Sequence, residues 1–401
     1  MKKEQTAWEV PNITSAELER DAHDAFRQHR ASYPIATLQT GGYIVLRYED
    51  VARLSSDPRL QATGTAVPVQ SGITGGALFD IFQHGMLTAN NHVHERRRSA
   101  LSRAVASQVV SNFRSHVRHA AEALLEEGYG EGSFELGSWY ATKLPALALA
   151  KMLGIPDGET PSFMLDIYEM NEFFRPHATA DAIYNAEAAA SRLQDYLETL
   201  VSRKWNGRAD DFLSHYLTLV EADAQLSSME VLIQIIQLII GGTESVRTAV
   251  VAQTANLLSN PEQWKAVCAD PTYVPAAVAE SLRFEPGIAG VVRIAAEDIE
   301  IGESTLPAGQ LVILSFMSAL RDERVFQRAG SFDIFRPDLT LSNLAFGGGP
   351  HRCIADALGR AELEESLSVL TERLPNMRLT TAPVFSGHVF VRRATECWVT
   401  W

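Results

Sequence analysis

The chain has 401 residues, of which 46% are hydrophobic and 21% charged, an ordinary globular mixture with enough apolar residues for a large core. A formal net charge of -14 argues against non-specific binding to nucleic acid or to an anionic membrane surface. Three cysteines, Cys268, Cys353 and Cys397, are too few for a disulfide framework and favour a reducing, cytoplasmic location.

The first residues, Met1 to Asn12, are polar, and no signal peptide is expected. Tyr43 to Tyr48 is rich in β-branched and aromatic residues and predicts a strand. From Asn91 to about Leu257 the periodicity is mainly helical, with a break near Gly154-Ile-Pro156. The longest apolar run, Val231 to Ile240, is interrupted by Gln234 and Gln237 and falls short of the ~20 residues a membrane helix needs. Ser227 to Glu230 fits a capping box, in which the serine caps an amide and the glutamate reaches back. The helix it opens is predicted to end at Asn260-Pro261, about 32 residues and ~48 Å long. Gly241 and Gly242 fall in its middle, where each costs ~1 kcal/mol relative to alanine, with Glu244 and Ser245 just beyond. A local opening of the backbone and a close helix crossing both explain such a pair. From Gly287 to Ile313 short β-branched runs alternate with turns such as Leu306-Pro-Ala-Gly309, and Val384 to Trp401 again reads as strands. No linker, repeat or low-complexity tract divides the chain. One domain over residues 1–401 is expected, mainly α with small sheets and α+β in character.

The sharpest chemical signal is Phe346-Gly-Gly-Gly-Pro-His-Arg-Cys353. Three glycines and a proline describe a tight loop whose backbone passes close to something flat or bulky. The loop delivers one cysteine, and a helical segment, Ile354 to Glu362, is predicted to start immediately after it. A thiol at a helix N-terminus meets the positive end of the dipole and free amides, both of which favour the thiolate. Cys268 and Cys397 have no such setting and read as inert core thiols.

This loop resembles the haem-binding signature of the cytochrome P-450 superfamily, F-G-x-G-x-H-x-C, with Phe346, Gly347, Gly349, His351 and Cys353 in its fixed places. Leu358, Arg360 and Glu362 continue the pattern, while Ala355 stands where the family usually has glycine. Glu280 and Arg283 resemble the family's E-x-x-R pair. E-x-x-R matches also start at Glu17, Glu95, Glu172 and Glu244, but the Glu280 match alone is followed by Pro286, Arg293 and Phe335-Arg336-Pro337. His94 and Arg98 resemble the H-x-x-x-R of the helix beside the haem, and they share a helix face. Gly241-Gly-Thr-Glu-Ser245 resembles the oxygen-activation motif, with Ser245 in place of threonine.

The resemblance implies a soluble, bacterial-type haem-thiolate monooxygenase with a helix-rich lobe and a small sheet lobe. Haem b would lie between the long central helix and the helix after the cysteine loop. Cys353 would be the axial ligand of the iron. His94, Arg98, Arg293 and His351 would meet the propionates, and Glu280, Arg283 and Arg336 would lock the loop. Glu244 and Ser245 would relay protons to bound O2, with Gly241 and Gly242 making room for it. By position in the family pattern, Gln237, Ile240, Ile288, Ala289, Phe390 and Val391 would line a pocket for a small, largely apolar organic substrate. The segments Ala62–Phe82 and Phe163–Tyr184 would form lids. Electrons would come from a separate ferredoxin and its reductase, docking near Arg97 and Arg352. Arg96 and Arg97 read as a solvated basic face, and a monomer is the family default. No nucleic acid or membrane partner is expected. A haem-thiolate enzyme of another type (oxidative coupling or peroxygenase), a haem sensor, and a hydrolase with Cys353 as nucleophile are the competing readings.

Overall fold

The computed structural model describes residues 10–107, 110–175 and 178–401. Most of the polar N-terminal stretch (Met1–Glu9) and two residues of the second expected lid (Pro176 and His177) lie outside the described residues. The chain packs into two compact units, neither continuous in sequence.

The first unit comprises residues 10–62 together with Ala279–Cys353 and Ser386–Arg392. Its centre is a six-stranded mixed sheet. In spatial order the strands are Asn12–Ile13, Ile35–Leu38, Tyr43–Val45, Leu311–Ser315, Gly290–Ala295 and Leu60–Gln61. Side chains alternate across it as a pleat requires. Ile35, Val45, Val312 and Leu314 join one core with Phe316 and Phe326. Ala36, Ile44 and Ile313 join a second core with Ile13, Phe26 and Ala289. The expected strand at Tyr43 is therefore present but ends at Val45, because Tyr48 already begins the Tyr48–Leu54 helix. The short runs expected between Gly287 and Ile313 appear as four strands, Gly290–Ala295, Ile299–Ile301, Ser304–Leu306 and Leu311–Ser315. Gly309, at φ 78°, supplies the turn before the last of them.

The second unit comprises Thr63–Val278, Ile354–Phe385 and Arg393–Trp401 within the described residues, and it holds most of the helices. The Ser227 capping box forms as read: the Glu230 N–H donates to Ser227 Oγ at 3.2 Å, and the Ser227 N–H donates to Glu230 Oε2 at 3.0 Å. The expected single long helix is two, Ser228–Gly241 and Glu244–Leu258, interrupted at Gly242 and Thr243. Together they are long and apolar enough to cross a membrane, and 72% of the most apolar window is buried inside the fold. The helix ends near Asn260 as expected, and the next one starts at Pro261. A three-stranded sheet joins Arg378–Thr381, Trp398–Thr400 and Ser133–Glu135. Of the tail expected as strands, Phe385–Ser386, Arg393–Ala394 and Trp398–Thr400 form strands, and Val391 adds an isolated bridge to Ile288.

Candidate functional site

The cysteine loop is shaped by steric exclusion. Gly347 and Gly349 have φ of 73° and 63°, a region open to glycine at no cost. A Cβ on Gly349 would lie 2.3 Å from the Ser55 carbonyl oxygen, and one on Gly348 would lie 2.9 Å from Ser55 Cβ. All three glycines are therefore required, including Gly348, which the signature leaves variable. The loop closes on itself where the Cys353 N–H donates to the Phe346 carbonyl at 2.9 Å. Cys353 is exposed, and His351 sits half-buried in a short 3₁₀ turn two residues before it. The following helix starts at Asp356, so Cys353 precedes the first helical residue by three and not by one.

The first unit also holds a buried charge network. Glu280 and Arg283, one turn apart on the Val274–Phe284 helix, are fully buried. Arg283 donates from Nε and Nη2 to the two carboxylate oxygens at 2.6 and 2.7 Å. Its remaining N–H groups reach the carbonyls of Leu320, Ala329 and Ser331. Arg336 Nη1 adds a contact to Glu280 at 3.2 Å, and the Asp333 N–H another at 2.8 Å. Helix and meander are thus tied at one carboxylate. The other E-x-x-R matches differ: Glu172–Arg175 is a surface pair, the kind worth under ~1 kcal/mol.

The helix interruption separates the two glycines. A Cβ on Gly242 would meet Leu238 O at 3.1 Å and Leu149 Cδ1 at 3.3 Å, so this glycine serves a close helix crossing. A Cβ on Gly241 would meet nothing within 4 Å. Each sequence explanation holds for one member of the pair. The Ser245 hydroxyl donates to the Gly241 carbonyl at 2.8 Å, a carbonyl that the break removes from the helical ladder. Glu244 is 5% exposed. Arg247 Nη1 approaches it at 3.4 Å and Arg393 Nε at 3.9 Å. Arg393 also donates to Glu172 at 2.8 Å and to the Asn171 carbonyl at 2.9 Å. Sequence reading missed Arg393, and no local pattern links it to a residue 149 positions away.

Of the expected propionate residues, His94 is buried and Arg98 half-buried, one turn apart on the Asn91–Ser107 helix. Arg293 lies on the Gly290–Ala295 strand, and burial pushes its guanidinium down to about 10. Among the described residues no carboxylate pairs with it. Its Nη1 donates only to the neighbouring Val292 carbonyl. A desolvated cation of this kind suits an anionic group from outside the chain. Arg96 and Arg97 are not the solvated face expected. Both pair with Glu230, whose carboxyl they and the Ser227 amide hold down at about 2.

Among the expected pocket residues, Gln237 and Ala289 are core. Gln237 donates to Ile81 O and accepts from the Leu87 N–H, both at 3.0 Å, so both ends of its amide are tied to backbone. Ala289 belongs to the Ile13–Phe26 core. Ile240, Ile288, Phe390 and Val391 keep exposed surface.

The family model described as Cytochrome P-450 matches residues 162–374. The plant-inducible cytochrome P-450-pinF1 of Rhizobium radiobacter is 35% identical over 96% of this chain and 92% of its own. Nocardicin C N-oxygenase of Nocardia uniformis subsp. tsuyamanensis is 30% identical over 95% of this chain and 96% of its own. Among solved structures, an epothilone B-bound cytochrome P-450 epoK superposes with a TM-score of 0.86 at 26% identity, covering 95% of this chain and 96% of that one.

Proposed function

The chain belongs to the cytochrome P-450 family, and on that premise we propose that it hydroxylates a small, largely apolar organic substrate with a haem b that the Cys353 thiolate would hold. When bound, the haem would supply dioxygen activation. The observation that carries the reading is the exposed Cys353 at the end of a loop where three successive glycines are sterically required or conformationally special.

The remaining roles follow from the surroundings of each residue. Arg293, a desolvated cation, holds a propionate together with His94, Arg98 and His351. Phe346, Gly347 and Gly349 shape the cradle, and Glu280, Arg283 and Arg336 keep it rigid. Ser245 donates its own proton to the Gly241 carbonyl, so its lone pairs face any incoming donor. Glu244 is the acid behind it. Arg247 and Arg393 flank its carboxylate at 3.4 and 3.9 Å. Open space over Gly241 leaves room for dioxygen. Ile240, Ile288, Phe390 and Val391 line the substrate. Gln237 and Ala289 serve as supports, and Gly242 serves packing.

Electrons come from a separate ferredoxin and its reductase, docking near Arg352, since Arg97 is engaged by Glu230. The two packing units act as one catalytic domain, because each is assembled from three stretches of chain. The free thiols favour the cytoplasm.

The test is the difference spectrum of dithionite-reduced protein with carbon monoxide. A strongly red-shifted Soret band that Cys353→Ala abolishes is the expected result. Absence of haem absorbance in protein expressed with haem supplied sinks the reading. A band typical of neutral or imidazole ligation shifts it towards a haem sensor.

A further inference from the structure

The segments Ile288–Ala289 and Phe390–Val391, far apart in sequence, form one wall within the first unit. Ile288 and Val391 form an antiparallel bridge. The Ala289 N–H donates to the Phe390 carbonyl at 2.7 Å, and the Arg392 N–H donates to the Gly287 carbonyl at 3.0 Å. The Ala289 carbonyl accepts the Met317 N–H at 2.8 Å, so one edge of the wall is fixed to the core. The other edge is a tight turn. Gly387 has φ 79°, and a Cβ there would lie 2.1 Å from the Val391 carbonyl oxygen.

Beneath the wall is a buried charge cluster that no family motif covers. Arg392 is 2% exposed, and its Nη1 contacts Glu285 Oε2. Glu285 Oε1 also faces His23 Nε2 and Arg321 Nη2, each at 2.8 Å. Arg321 is itself held by the Phe284 carbonyl and lies over the Phe284 ring. Burial and the nearby Arg321 push His23 down to about 4, so it is neutral near pH 7. Glu285 is then the counter-charge shared by the buried Arg392 and the half-buried Arg321. Buried ion pairs add little net stability compared with apolar packing, but they fix geometry, and removing one partner strands the other. Arg392 follows Phe390 and Val391 directly, and Phe390 is 39% exposed at the tip of the turn.

We propose that Glu285 and Arg392 are a positioning pair that sets where Phe390 and Val391 stand, and so which substrates fit. The inference rests on the haem-thiolate reading, and its test separates the two. Imidazole and 4-phenylimidazole both ligate haem iron through nitrogen and shift the Soret band. The second also carries a ring that must find room against apolar walls. Titrating holoenzyme with each probe gives a ratio of affinities that isolates the wall from access to the iron. Arg392→Gln and Gly387→Ala are expected to change the 4-phenylimidazole affinity by about tenfold or more while imidazole stays within about twofold, and Arg392→Lys to fall between. Unchanged affinity for both probes overturns the proposal. So does a parallel change in both, which marks general loosening. If Arg392→Gln fails to accumulate as holoenzyme, Gly387→Ala decides alone, since it moves the same turn without touching the buried charges. The carbon monoxide spectrum of the same samples judges the haem-thiolate reading separately: if wild type lacks the red-shifted band, that reading fails first.

Discussion

Glu280 in the first unit and Glu362 in the second are both buried glutamates on helices, and their surroundings are opposite. Glu280 is 0% exposed and accepts two N–H groups of Arg283, one of Arg336 and the Asp333 amide. Glu362, on the Asp356–Arg373 helix, is 4% exposed, and its Oε1 has no hydrogen-bond partner among the described residues. Burial pushes the Glu362 carboxyl up to about 8, so it carries a proton at neutral pH. Depth is the same, and the donors differ. Glu280 is an anion built into a scaffold, whereas Glu362 is neutral because nothing compensates a charge there. Glu244 stands between them, buried but facing two guanidiniums at longer range. Tight pairing suits a carboxylate that serves as scaffold, and the looser pairing of Glu244 fits the relay proposed for it.

The largest effect is expected from Glu280→Gln. It leaves Arg283 and Arg336 buried without their shared anion, a loss of about 3–5 kcal/mol. Urea unfolding of the purified variant measures it, and the haem-loaded fraction is expected to fall in step. A loss below about 1 kcal/mol would mean that the carbonyl contacts of Arg283 alone hold the meander, and the contrast with Glu362 would dissolve.

Glu362→Gln tests the other side, and its sign is set by proton linkage. The carboxyl titrates at about 8 when folded, against 4.5 for a free glutamate. Between those values the folded state holds a proton that the unfolded state has released, so stability falls as pH rises through this window and levels off above it. Each pKa unit is worth about 1.4 kcal/mol, so the full loss is on the order of a few kcal/mol. The glutamine variant lacks this slope and is expected to be more stable than wild type at pH 8 and similar near pH 5. Parallel pH profiles for the two proteins would show that Glu362 finds a donor in solution.

The sequence exposed features that repeat a local pattern and hid those that depend on distant partners. The glycine loop, the capping box of Ser227 and Glu230, and the Glu280–Arg283 pair are local in sequence, and the structure builds each of them. The steric need for Gly348 stayed hidden because Ser55 lies almost three hundred residues earlier. Arg96 and Arg97 read as surface because Glu230, too, is distant in the chain. The Glu285–Arg392 pair and the contact of Arg393 with Glu244 were invisible for the same reason. Gln237 and Ala289 show the converse error, since a family position names a neighbourhood and not the direction of a side chain. Gly349→Ala probes the legible part: a Cβ at φ 63° against the Ser55 carbonyl is expected to cost about 1–3 kcal/mol and to reduce haem loading, read as thermal midpoint and Soret absorbance per protein.

The smallest effects are expected at the helix interruption, where filled and open surroundings sit side by side. Gly242→Ala pushes a methyl against Leu149 and the Leu238 carbonyl and is expected to cost about 1 kcal/mol. Gly241→Ala meets no atom within 4 Å, and Gly241 is the last residue of its helix. Alanine there is expected to raise stability by up to about 1 kcal/mol through the unfolded chain. If the space over Gly241 receives dioxygen, the same methyl lowers the yield of product per dioxygen consumed. Stability and coupling would then move in opposite directions at Gly241, while Gly242→Ala lowers stability alone, which thermal unfolding and an oxygen electrode with product analysis can read. Unchanged coupling in Gly241→Ala would leave that glycine a purely conformational role and move the oxygen site away from the break.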